Sequence, residues 1–182
     1  VVFSRLLLAA ANSKAYILGK RKDDKLIVQI NTGEVVLCFQ IDDEERQISH
    51  ILDLPENHKR CDGLIFYAKD GKEEKVIGLV EMKSTNIREV VEQIKSTKLH
   101  IEDLLRRECG SHCNKLLSRV KWKACIYSYG ASDSDKKEQM KDLRRAGFDD
   151  VAYFDKVKFD AGPFLRGDLS GKKLSDKLKG KR

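Results

Sequence analysis

A strand that is apolar on both faces belongs in the middle of a sheet covered on both sides. Val76-Ile77-Gly78-Leu79-Val80-Glu81-Met82-Lys83-Ser84 reads as such a strand. Alternation puts Ile77, Leu79, Glu81 and Lys83 on one face and Val80 and Met82 on the other. Upstream, Cys61-Asp62-Gly63-Leu64-Ile65-Phe66-Tyr67 is a second apolar run, separated from the first by a polar turn from Lys69 to Lys75. Two apolar runs around such a turn read as a β-hairpin. In an antiparallel hairpin the start of one strand lies beside the end of the next, which brings Asp62 toward Glu81. Burying an unpartnered charge costs several kcal/mol, so two carboxylates and an ammonium at the end of a central strand need a reason.

The surrounding pattern supplies the rest of an α/β fold. Phe3, Leu6, Leu7, Ala10 and Ala11 have helical spacing; with no basic leader before it, Val1 to Ala11 reads as a helix rather than a secretion signal. Leu26 to Ile30 and Glu34 to Ile41 read as strands joined by a hairpin turn at Asn31-Thr32-Gly33. Asp42 to Leu52 reads as a short helix with acids at its start, and Pro55 to Arg60 as a loop. After the central hairpin, Ile87, Val90, Val91, Ile94, Ile101, Leu104 and Leu105 form a helical stripe. That helix is capped at Asn86 and ends near Cys109-Gly110. Trp122 to Tyr129 is a further strong strand. Asp135 and Glu138 have capping-box spacing and open a helix that runs to Gly147, and Val151 to Phe154 is a short strand. An antiparallel first half followed by alternating strands and helices predicts a mixed sheet of about five strands flanked by helices.

Charge separates the chain into two parts. The net charge is +7, and Leu169 to Arg182 carries six basic residues against one acid. Residues 1–155 are therefore expected to form an α/β domain and 156–182 a basic tail that is mobile unless a partner holds it. Lys172, Lys173, Lys177 and Lys179 are candidate contacts to nucleic-acid phosphate, giving attraction without base readout. The 5 cysteines show no paired spacing, which suits a reducing compartment and a cytoplasmic, nucleoid or nuclear location. No run reaches the roughly 18 apolar residues of a membrane span, so no membrane partner is expected. Cys109, His112 and Cys113 lie close together, but a structural zinc site needs four ligands and no second pair follows.

Asp62, then Glu81-Met82-Lys83 at the end of an apolar strand, then a long amphipathic helix: this resembles the PD-(D/E)xK nuclease superfamily, with its restriction-endonuclease-like fold. The element order from Phe3 to Phe154 is similar to that fold; the motif itself rests on three residues. The Pro that precedes the Asp in the family is Cys61 here, a departure that removes no ligand. The resemblance implies a Mg²⁺-dependent endonuclease (Mn²⁺ substituting) acting on nucleic acid, DNA being the family's usual substrate. Asp62 and Glu81 would hold the metal, with the Met82 carbonyl as a third oxygen. Lys83 would orient or deprotonate the attacking water or stabilise charge on the phosphate. Many members carry an earlier acid, for which Glu44 and Glu45 are the candidates. One branch carries a Gln and, a helical turn later, a Tyr or similar residue; Gln93 takes the first place, but the partner position is Thr97, a departure from that branch. Ser84, Thr85 and Arg88, around the start of the long helix, are candidate contacts to the backbone near the cut. The resemblance admits a homodimer or larger complex. A different class of reading is a subunit of the same fold that binds nucleic acid or assembles a complex without turnover.

Overall fold

The computed structural model describes residues 16–18, 24–42, 48–55, 59–82, 87–110, 113–127, 132–154 and 158–171; the helix expected from Phe3 to Ala11 lies outside them. The first described elements are two short strands, β1 (Tyr16–Leu18) and β2 (Lys25–Ile27), which pair antiparallel. Then come β3 (Glu34–Gln40), a single helical turn α1 (Ile48–Ile51), β4 (Gly63–Lys69) and β5 (Lys75–Met82). The long helix α2 (Ile87–Cys109) and short α3 (Cys113–Leu117) lead to β6 (Val120–Tyr127). Helix α4 (Asp133–Arg145), β7 (Asp150–Phe154), β8 (Lys158–Asp160) and α5 (Gly162–Arg166) follow.

The central sheet has the order β3-β4-β5-β6-β7. Strands β3, β4 and β5 are antiparallel neighbours, whereas β5, β6 and β7 run parallel. The sheet is therefore mixed, five-stranded and flanked by helices, as the pattern of hairpin followed by strand-helix-strand units predicts. β5 stands at its centre and is buried from Val76 to Met82. Its alternation divides the core. Ile77 and Leu79 face a cluster containing Val90, Val91, Ile94 and Leu104 of α2 and Leu143 of α4. Val76, Val80 and Met82 face a second cluster with Ile17, Leu26, Phe159, Phe164 and Leu165. One face is thus roofed by α2 and α4, the other by a small sheet β1-β2-β8 and α5.

Several expectations change. Leu26 to Ile30 does not form a hairpin with Glu34 to Ile41, because β2 pairs with β1 and β8 in a separate sheet while β3 pairs with β4. The Asn31-Thr32-Gly33 turn exists, with Gly33 at φ 76° and Glu34 N–H donating to Asn31 O at 3.2 Å, but it changes sheets rather than closing a ladder. The helix expected from Asp42 to Leu52 is described only over α1. Helix α4 starts one turn earlier than expected: its cap is Ser132, whose hydroxyl accepts Asp135 N–H at 3.1 Å. Ser132 and Asp135 themselves have the capping spacing, and the Ser132 hydroxyl donates to Asp135 Oδ2 at 2.6 Å, so the cap lies three residues before the Asp135–Glu138 pair. Packed structure also continues beyond residue 155, where the basic tail was expected to begin. Phe159, Ala161, Phe164 and Leu165 are few but all buried, and a short stretch is held when its few apolar groups are the ones that pack. Among the described residues, no helix is long and apolar enough to cross a membrane.

Candidate active site

The β4–β5 hairpin sets the geometry. Gly63 stands opposite Val80 and Leu64 opposite Leu79. One step further, the same register puts Asp62 opposite Glu81. On opposed positions of an antiparallel pair, side chains share a face and lie about 4.5–5.5 Å apart at Cβ. That face is the one roofed by α2. The pairing is reciprocal: Asp62 N–H donates to Glu81 Oε2 at 3.3 Å, and Met82 N–H donates to Asp62 Oδ2 at 2.5 Å. The ladder of β4 ends at Gly63, so these two carboxylates take over the backbone donors at its frayed end. Asp62 is 7% exposed and Glu81 is fully buried.

The close approach of the acids is also felt by Cys61. Burial first, then the charge of Glu81 and, less, of Asp62, push its thiol pKa upward. It is a neutral thiol at physiological pH, with Sγ 3.4 Å from Gly63 O. Gly63 itself is required by packing on the opposite face: a Cβ there would lie 2.4 Å from Ile17 Cδ1 and 2.8 Å from its Cγ2. Ile17 of β1 thus presses on the residue that follows Asp62.

Helix α2 holds the other side of Asp62. Thr97 Oγ1 accepts Cys61 N–H at 3.0 Å and donates to Gln93 O at 2.9 Å. Gln93 Nε2 donates to Arg60 O at 3.1 Å, and Lys59 Nζ contacts Glu92 Oε2 at 2.5 Å. Consecutive residues 59, 60 and 61 are therefore each tied to α2, and Asp62 is the next residue in the chain. Gln93 is thereby joined to the strand that delivers Asp62. Sequence reasoning placed Gln93 and Thr97 by analogy only. The signal for their role is that Thr97 is a fully buried polar residue within the stripe from Val90 to Leu105, and such a residue must find a hydrogen-bond partner.

Of the sequence candidates, Asp62, Glu81 and Met82 come together, and Gln93 bonds Arg60 O two residues before Asp62. Lys83, Ser84, Thr85, Glu44, Glu45, Lys172, Lys173, Lys177 and Lys179 lie outside the described residues, as does the side chain of Arg88. Among the described residues, no group of three or more His, Cys, Asp and Glu side chains is arranged to hold a metal ion. Two carboxylates on one face can hold a hard cation only with help from backbone carbonyls, water or a further acid. Compared with known proteins, the chain matches no family model, no curated protein and no solved structure.

Proposed function

We propose that this chain is a metal-dependent nuclease of the PD-(D/E)xK type with a restriction-endonuclease-like arrangement, hydrolysing phosphodiester bonds in nucleic acid, with DNA as substrate. The observation that carries the reading is the reciprocal pair at the end of β5, with Asp62 N–H on Glu81 Oε2 and Met82 N–H on Asp62 Oδ2. Two carboxylates this close and this buried repel one another, and a divalent cation between them would offset that repulsion. The donor chemistry fits Mg²⁺ or Mn²⁺, which take oxygen ligands and are often bound by one or two carboxylates plus water. Asp62 and Glu81 would be its side-chain ligands, with the Met82 carbonyl as a third oxygen and Glu44 or Glu45 as a further acid. When bound, the ion would supply charge neutralisation and an activated water.

The remaining roles belong to the chain's own groups. Lys83 follows Met82 directly, and an extended chain there would give it the same face as Glu81. Its ammonium would orient the attacking water or stabilise charge on the phosphate. Ser84, Thr85 and Arg88 would contact the backbone beside the cut. The clamp from Glu92, Gln93 and Thr97 would hold Asp62 in place as a support, not as a reacting group.

The test is a cleavage assay on plasmid, single-stranded DNA and RNA with Mg²⁺ or Mn²⁺, run beside Asp62→Asn and Lys83→Ala. Removing one such group typically costs a hundredfold or more, on the order of 3 kcal/mol in the barrier. Cutting by the parent chain, lost in both variants, is the expected outcome; cutting that survives both substitutions refutes the site.

A second reading has a specific observation behind it. Each carboxylate already serves as the acceptor for a backbone N–H, and Glu81 is fully buried. A pair that only finishes the ladder would suit a subunit that binds nucleic acid or assembles a complex without turnover. Salt-dependent DNA binding with no cleavage under any divalent ion would favour it.

A further inference from the structure

At the opposite end of the central sheet, on the face turned away from α2, lies a cavity of about 310 Å³ bordered by the starts of β5 and β6, the β4–β5 turn and the end of α5. Its wall includes Lys123, a residue of a central strand that is only 9% exposed. Lys123 Nζ donates to Phe164 O at 2.6 Å and to Leu165 O at 3.2 Å. Those bonds use two of the ammonium's three hydrogens. They satisfy carbonyls of α5 but bring no counter-charge.

The acids along the same wall are already engaged. Asp149 Oδ2 accepts Trp122 N–H at 2.8 Å, and its Oδ1 lies 3.5 Å from Lys121 Nζ. Asp150 accepts the N–H groups of Val151 and Gly171, both at 2.9 Å, and stands 3.7 Å from Arg144. Glu74 lies 3.9 Å from Lys121. Arg166, also on the wall, is spent on Asp168 at 2.8 Å and Glu34 at 3.3 Å. That leaves Lys69, Lys72 and Lys123, each lining the cavity and none within ion-pair distance of a carboxylate among the described residues.

We propose that this cavity binds a phosphate group, carried either by a small phosphorylated molecule or by a nucleic-acid backbone, with Lys123 at its base and Lys69 and Lys72 at its rim. The size is at the lower end of small-molecule sites, which suits one phosphate-bearing unit. A buried ammonium with no carboxylate in ion-pair contact among the described residues is an incomplete electrostatic arrangement, and a phosphate completes it. In its absence burial holds the Lys123 pKa below its ordinary value, with Asp150 opposing that effect. The site is separate from the Asp62–Glu81 pair and does not depend on it.

The experiment titrates the full chain with inorganic phosphate, pyrophosphate and a short DNA duplex at constant ionic strength, reading ¹⁵N–¹H shifts and affinity. Lys123→Met strands two carbonyls and is at risk of not folding, so Lys69→Gln/Lys72→Gln at the rim carries the test. The expected result is shift changes centred on Lys121 to Lys123 and Gly167, with affinity falling at least about tenfold in the rim variant. Phosphate compounds that bind while DNA fails to displace them identify a small-molecule ligand; displacement by DNA, weakened in the rim variant, identifies the backbone. Absence of phosphate-induced shifts at these residues, or equal affinity in the rim variant, overturns the proposal.

Discussion

Thr97→Val is the substitution that most cleanly separates a placed Asp62 from one that merely lies nearby. The change keeps shape and removes the hydroxyl that accepts Cys61 N–H at 3.0 Å. Thr97 is fully buried, so water cannot replace the lost acceptor. Leaving a buried backbone donor unsatisfied costs about 1–3 kcal/mol. Gln93 O loses only its second bond, because a helix carbonyl already accepts the N–H four residues on. A loss near 2 kcal/mol corresponds to about 4–8 °C in Tm for a chain of this size. In urea it is a midpoint shift of roughly 1 M at unchanged m-value. Thr97→Ser keeps the hydroxyl and removes one buried methyl, about 0.8 kcal/mol, and is the control. If the clamp positions Asp62, Thr97→Val also weakens Mn²⁺ binding while Thr97→Ser retains it. Equal stability of Thr97→Val and the parent chain, or a serine variant as damaged as the valine one, refutes the clamp.

Three further outcomes follow from the same geometry. Gly63→Ala forces a Cβ to 2.4 Å from Ile17 Cδ1 and is expected to cost about 1–3 kcal/mol by overpacking; thermal denaturation beside Ile17→Ala should show that the cost shrinks when Ile17 is trimmed. At Glu34, burial opposes ionisation, but Asn31 N–H, the Tyr67 hydroxyl and Arg166 outweigh it and hold the carboxyl below its ordinary range. A depressed folded-state value gives stability that is present above the unfolded carboxylate pKa of about 4.3 and lost as pH falls through the folded value. Glu34→Gln should therefore flatten the acid limb of a stability–pH curve below about pH 5, and an unchanged limb would contradict this. Exposed Lys59 and Glu92 sit at the outer end of the clamp; Glu92→Gln is expected to change stability far less than Thr97→Val, measured in the same urea series.

Much of the central sheet was legible because its signals are local. The apolar runs at Leu64 to Tyr67 and Val76 to Met82, the polar turn between them and the α2 stripe each state their own period. The opposition of Asp62 and Glu81 follows from the hairpin alone. What was not legible depends on distant partners. Nothing near Leu26 says that its neighbours are Tyr16 to Leu18 and Lys158 to Asp160, and β8 pairs with β2 across most of the chain. The three-residue strands carry too few side chains to show a period. Lys123 is one charge in the apolar run of β6, and only the docking of α5 shows that its ammonium is buried against carbonyls. Thr97 was visible as a polar interruption of an apolar stripe, but its partner at Cys61 is set by tertiary packing.

Asp62 and Glu81 are proposed to hold a divalent ion together. Calorimetric titration of the apo chain with Mn²⁺, beside Asp62→Asn and Glu81→Gln, tests it without reference to any substrate. One site is expected in the parent chain, with a stabilisation of about 2.7 kcal/mol at a hundredfold excess over Kd, and loss of that site in each variant while both remain folded. A parent chain that binds no Mn²⁺, or variants that bind it as tightly as the parent, would rule out a metal site at Asp62 and Glu81.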